Sequence, residues 1–231
     1  MERHLDVELT QVKQNLLKMA GLVELAIDKS IKALKERNSI LAQEVITEDR
    51  QVNQIEIEIE NACFTILARQ QPVAADLRFM MSCIKINNDL ERMADHVVNI
   101  AETAEELVTK PVIKPLIDIP YMATIVQGML RDSLDSFIRL DAEKARQVCE
   151  KDDVVDGLES QIQRELITYM MEDHRKITQA LGLTLVSKNL ERIADLSTNI
   201  GEEVIFIVEA RTIKHHHKDV HLSGKPKESS P

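Results

Sequence analysis

The chain is poor in the residues that build β-structure and tight turns. Its 231 residues include no Trp, two Tyr and four Phe, so aromatics make up 3%, and Gly and Pro number six each. Sheets draw on aromatic side chains and on turn residues. Their scarcity points to long helices packed through Leu, Ile, Val, Met and Ala. Only three cysteines are present, Cys63, Cys83 and Cys149, without CxxC spacing. They read as reduced thiols of the cytosol, with Cys63 and Cys83 as core fillers. No apolar stretch reaches the roughly 18 uncharged residues of a membrane span, and no signal peptide is visible. The expectation is a cytoplasmic protein that meets a membrane only through partners. Clustered positive charge is missing too: the formal net charge is −10, which argues against nucleic acid, whose phosphates need grouped Lys and Arg. HExxH, Glu-x-x-His, P-loop and dinucleotide glycine motifs are all absent, so the sequence reads as a non-enzyme.

What is present is a duplication. Leu90-Glu91-Arg92-Met93-Ala94-Asp95, followed by Asn99 and Glu102, recurs as Leu190-Glu191-Arg192-Ile193-Ala194-Asp195, followed by Asn199 and Glu202. On a helix the acids and amides step by three or four and share one stripe beside an apolar one. From Leu9 through Val12, Leu16, Met19 and Val23 the apolar positions alternate steps of three and four, the 3.5-residue rhythm of a left-handed bundle. The spacing predicts helices over 4–37, to Gln70 after a break at Asn38-Ser39, from Val73 to Val108, from Tyr121 to Leu140, a fifth up to the polar break Glu172–Arg175, and from Lys176 to Arg211. Val148, Val155, Leu158 and Ile162 echo Val45, Val52, Ile55 and Ile59 at a constant offset of 103. The chain therefore divides into a first three-helix repeat (1–110), a Pro-rich linker (111–120), a second repeat (121–211) and a polar tail (212–231). The tail is too polar to bury and reads as mobile, and its His215, His216, His217 and His221 have no rigid frame to orient a metal.

Within each repeat the last two helices are antiparallel neighbours joined by a short turn. Residues equidistant from the turn lie level. Asp49 and Asn53 then face Glu91 and Asp95 if the turn is centred on Pro72, and Asp152 and Asp156 face Glu191 and Asp195 if it falls between Asp173 and His174. Carboxylates this close raise one another's pKa and call for a neutralising cation. Without His or Cys the set suits hard ions such as Mg²⁺, Mn²⁺, Ca²⁺ or iron. The competing reading is a solvated acidic groove, with Arg92 and Arg192 as structural ion-pair partners.

The twin motifs, together with Gln71-Pro72-Val73-Ala74-Ala75-Asp76-Leu77-Arg78 and Tyr169-Met170-Met171-Glu172-Asp173, resemble the PhoU family over roughly residues 5 to 210. The resemblance implies an all-α fold of two tandem three-helix bundles related by pseudo-twofold symmetry, and a cytoplasmic, often dimeric protein. In some members metal clusters sit on the acidic motifs. It also implies a role as adaptor between the ATPase subunit of a phosphate importer and a sensor histidine kinase, with negative regulation of phosphate metabolism when phosphate is plentiful. Two departures stand out. Ala94 and Ala194 replace the family's usual Gly, which favours the helix, and Asn53 replaces an acid in the first set. The rival readings are an iron or manganese storage protein and a redox enzyme in a helical bundle, the latter lacking its metal-binding histidines.

Overall fold

The computed structural model describes residues 4–211; the expected tail and its histidines lie outside the described residues. The chain forms α1 (His4–Glu36), α2 (Ser39–Gln70), α3 (Ala74–Val108), α4 (Asp118–Arg139), α5 (Ala142–Glu172) and α6 (Ile177–Glu209), with a single 3₁₀ turn, His174–Lys176, before α6. The duplication reaches the turn chemistry. Asn38 caps α2, its side chain accepting from the Leu41 amide at 3.1 Å, and Asp141, 103 residues on, caps α5 by accepting from Glu143 and Lys144. The residue before each cap, Arg37 or Leu140, takes the left-handed conformation that ends the preceding helix, at φ 56° and 54°.

Two three-helix bundles result, α1–α3 and α4–α6, as the sequence predicts. Each is filled by the 3.5-residue stripes: Val12, Leu16, Met19 and Val23 on α1 are 0–1% exposed. Large aliphatic side chains at these positions supply the main driving force for folding. The bundles join along two antiparallel seams. On α3 and α6, Ser82 meets Glu203 and His96 meets Asn189, so numbers fall on one helix as they rise on the other. On α1 and α4, Gln127 reaches the Glu24 carbonyl and Arg131 pairs with the Glu24 carboxylate. The pseudo-twofold axis thus crosses α3 and α6 near Arg92–Met93 and Arg192–Ile193, placing both acidic motifs at the middle of the molecule.

The linker differs from expectation at one end. α4 begins at Asp118, three residues before Tyr121, because Pro120 lies in the first turn, where an amide has no helical partner to lose. The shortened linker packs down: Ile113 and Leu116 lie against the core, and Lys114, 9% exposed, pairs with Asp118 at 3.0 Å and with Glu165.

Candidate functional site

In the first bundle α2 supplies Asp49 and Asn53, and α3 supplies Glu91 and Asp95. Asn53 Nδ2 donates to Asp49 Oδ2 at 2.8 Å, while Asp49 Oδ1 is buried without a hydrogen-bond donor. Burial pushes the Asp49 carboxyl above the usual range; the Asn53 bond opposes the shift and Asp95 adds to it. Glu91 is also raised, first by burial and then by Asp95, Glu56 and Asp49, against the pull of Arg92. Asp49 borders a cavity of about 150 Å³ between the three helices, walled by Leu22, Ala26, Val52, Ala94 and Val97.

The second bundle repeats this with more charge. Asp152 on α5 is pushed up to about 7, first by burial and then by Asp156, Asp195 and Glu191. Glu191 rises through burial and Asp195. Asp152 Oδ1 and Glu191 Oε2 are buried without a hydrogen-bond donor. Arg192 relieves part of the repulsion, lying 3.0 Å from Asp195 and 3.5 Å from Glu191. Arg92 tempers Glu91 as well, but its ion pair is with Asp89, at 3.7 Å. Asp49 and Asn53 on α2 thus stand near Glu91 and Asp95 on α3, and Asp152 and Asp156 on α5 near Glu191 and Asp195 on α6.

An orphaned buried carboxylate oxygen loses water without gaining a donor, and a hard cation satisfies that deficit directly. In donor chemistry the residues fit such an ion. The side chains stand as neighbours, however: among the described residues no three His, Cys, Asp or Glu side chains converge as a formed ligand set.

A second polar feature escaped the sequence reading. Glu203, 4% exposed, accepts from Ser82 Oγ and Lys85 Nζ, both at 2.8 Å, across the α3–α6 seam. Next to it Glu56, Asn87, Arg92 and Asn199 help line a groove of about 490 Å³. The signal available was the apolar stripe of α6, on which Glu203 falls between Ile200 and Val204. Its partners lie more than a hundred residues away, beyond the reach of local periodicity.

The fold and the site define a class: a duplicated helical-bundle protein with acidic clusters at mid-height. A family model for the PhoU domain matches residues 16–104 and again 119–204. A phosphate-specific transport system accessory protein PhoU homolog of Aquifex aeolicus is 45% identical over 91% of this chain and 95% of its own. A homolog of the same description from Pseudomonas putida is 39% identical over 93% of this chain and 84% of its own. The crystal structure of PhoU from Pseudomonas aeruginosa superposes with a TM-score of 0.87 at 39% identity, covering 90% of this chain and all of that one. The phosphate transport system regulatory protein PhoU of Streptococcus pneumoniae gives 0.84 at 29% identity, with 90% and 99% coverage. This chain belongs to the PhoU family of phosphate-transport regulatory proteins.

Proposed function

We propose that the chain is a non-enzymatic adaptor that restrains phosphate uptake and the starvation response when phosphate is plentiful. It docks between the ATPase subunit of a phosphate importer and a sensor histidine kinase, acting in the cytoplasm as a homodimer. The observation that supports this best is the family match over both bundles, since it covers the whole two-bundle body along with the twin motifs. No helix among the described residues is long and apolar enough to cross a membrane, in keeping with contact to the importer through its ATPase. A pull-down from phosphate-replete cells is expected to recover the importer ATPase or the kinase, and deleting the gene should raise starvation-gene expression in rich phosphate. A silent reporter in the deletion strain would contradict the reading.

The same reading gives the acidic clusters a cation. Asp152, Asp156, Glu191 and Asp195 would hold Mg²⁺, Mn²⁺ or iron in the second bundle; Asp49, Glu91 and Asp95, with the neutral Asn53, would hold it more weakly in the first. The ion would supply charge neutralisation and so couple metal supply to the stability of the surface that partners meet. The orphaned oxygens of Asp49 and Asp152 support this assignment. Titrating Mn²⁺ into Asp152→Asn and Asp49→Asn proteins is expected to show the larger loss of affinity for Asp152→Asn. Equal losses would refute the ranking.

A further inference from the structure

The two bundles differ at a place where the internal repeat would have them agree. After α3 the linker folds back over the end of the first bundle, and beneath it Leu34, Leu107, Ile113 and Leu183 wall a cavity of about 240 Å³. By the offsets of 103 and 100, the residues at the places of Leu34 and Gln179 in the other half are Phe137 and Phe79. Those two rings stack with centroids 5.5 Å apart, and Phe137 is fully buried. The smaller Leu34 and the polar Gln179 stand where the twin has two aromatic rings, and here the wall encloses space.

The charge at this cavity runs against that of the chain. The net charge is −10, yet among the described residues no Asp or Glu lines the cavity, whereas Lys35, Arg37 and Lys114 do. Lys114 is committed to Asp118 and Glu165. Arg37 donates through Nη2 to the carbonyls of Val108 and of Lys110, the latter at 2.7 Å, so the linker positions its guanidinium without neutralising it. Lys35 and Arg37 are both exposed, which places them where the cavity meets solvent, and Ile138 and Leu140 stand at their places in the other half. Gln179, 7% exposed, is a polar member of the wall, and its amide oxygen is buried without a hydrogen-bond donor. A largely apolar cavity with a few placed polar groups is the usual form of a small-ligand site. We propose that it binds a medium-chain carboxylate, with the aliphatic tail among Leu34, Leu107, Ile113 and Leu183 and the head on Lys35 and Arg37. The volume has room for about eight groups the size of a water or a methylene, at ~30 Å³ each. Burial of the tail drives binding, and the two cations select an anionic head over a neutral or cationic one. The unmet Gln179 oxygen sets a preference within the class for a chain that carries a hydroxyl.

The test titrates octanoate, 3-hydroxyoctanoate, 1-octanol and octylammonium into the full chain, followed by calorimetry and by the methyl NMR signals of Leu34, Leu107, Ile113 and Leu183. Each acid is expected to bind once per chain and to shift those methyls, 3-hydroxyoctanoate about five-fold more tightly than octanoate. The alcohol is expected to bind about ten-fold more weakly than octanoate, and octylammonium not at all. Lys35→Ile should weaken octanoate about three-fold and leave the alcohol unchanged. Gln179→Leu should make the two acids equal. Leu34→Phe combined with Gln179→Phe, which puts the twin's aromatic pair into this half, should abolish binding; Lys35→Ile, at an exposed position, decides the matter if that double variant does not fold. The proposal is overturned if neither acid shifts the four methyls, if octylammonium binds as tightly as octanoate, or if Lys35→Ile weakens the alcohol as much as the acid. It is also overturned if the methyls respond only to phospholipid vesicles or to an added peptide.

Discussion

At the residue scale, the Asp152 carboxyl shows what an acidic cluster does to a fold. An aspartate in the unfolded chain ionises near 3.8, whereas Asp152 in the fold does so at about 7. Its contribution to stability is therefore intact below pH 4 and is lost as pH rises towards 7, because the unfolded chain gives up the proton more readily. Asp152→Asn removes that dependence. In chelator-treated protein at pH 8 the variant is expected to melt a few degrees higher, about 1–2 kcal/mol once solvent screening is allowed for, and to match the parent near pH 4. If the cluster holds Mn²⁺ as proposed, the order is expected to reverse with the ion at saturation, because binding to the folded parent alone would stabilise it. Thermal melts by circular dichroism check both signs. The three thiols offer a second residue-scale prediction. Burial pushes Cys63 up to about 11, Cys149 up to about 12 and Cys83 well above the ordinary thiol range. Because the thiolate is the nucleophile, Ellman's reagent at pH 8 is expected to leave all three unmodified in the native protein and to titrate three thiols together in urea. The positions of the acids were legible in the sequence, since helix period and turn midpoint place them. The strength of the Asp152 shift was not, because it depends on how completely the packed helices exclude water.

At the scale of elements, glycines inside helices separate close packing from open surface. A Cβ on Gly201 would lie 3.0 Å from the Ala145 carbonyl oxygen and 3.3 Å from Cys149 Sγ, so α5 and α6 approach so closely that a methyl group would make the α5 backbone give by a few tenths of an ångström. Gly201→Ala is expected to cost about 1–3 kcal/mol, read as a lower urea midpoint. Gly157 on α5 meets nothing within 4 Å, and Gly157→Ala is expected to stabilise by about 0.5–1 kcal/mol through helix propensity. The hairpin turns were readable beforehand: the midpoint at Pro72 falls in the break between α2 and α3, and the one between Asp173 and His174 falls at the 3₁₀ turn. The start of α4 was misread because a proline in the first turn and a proline that breaks a helix look alike in sequence. The burial of Lys114 was hidden because its partner Glu165 lies 51 residues away on another helix.

At the scale of the whole molecule, each repeat leaves two helix faces to be covered by its twin, α3 by α6 and α1 by α4. Residues 4–110 expressed alone are therefore expected to pair with a second copy, which supplies equivalents of α4 and α6. Light scattering behind a sizing column should report a helical dimer; a well-folded monomer would count against it. The duplication and the fold class were legible from the twin motifs, whereas the polar part of the seam, Ser82 and Lys85 on Glu203, was not, because nothing local marks residues that meet across the axis. Joining the halves in one chain has a further consequence. A dimer of identical subunits must carry every residue twice, so neither end differs from the other. Here Asn53 answers Asp156, and Arg37 answers Leu140. The body keeps the outline of a symmetric object but has a head and a tail, and a partner approaching along its long axis can sense which way it points.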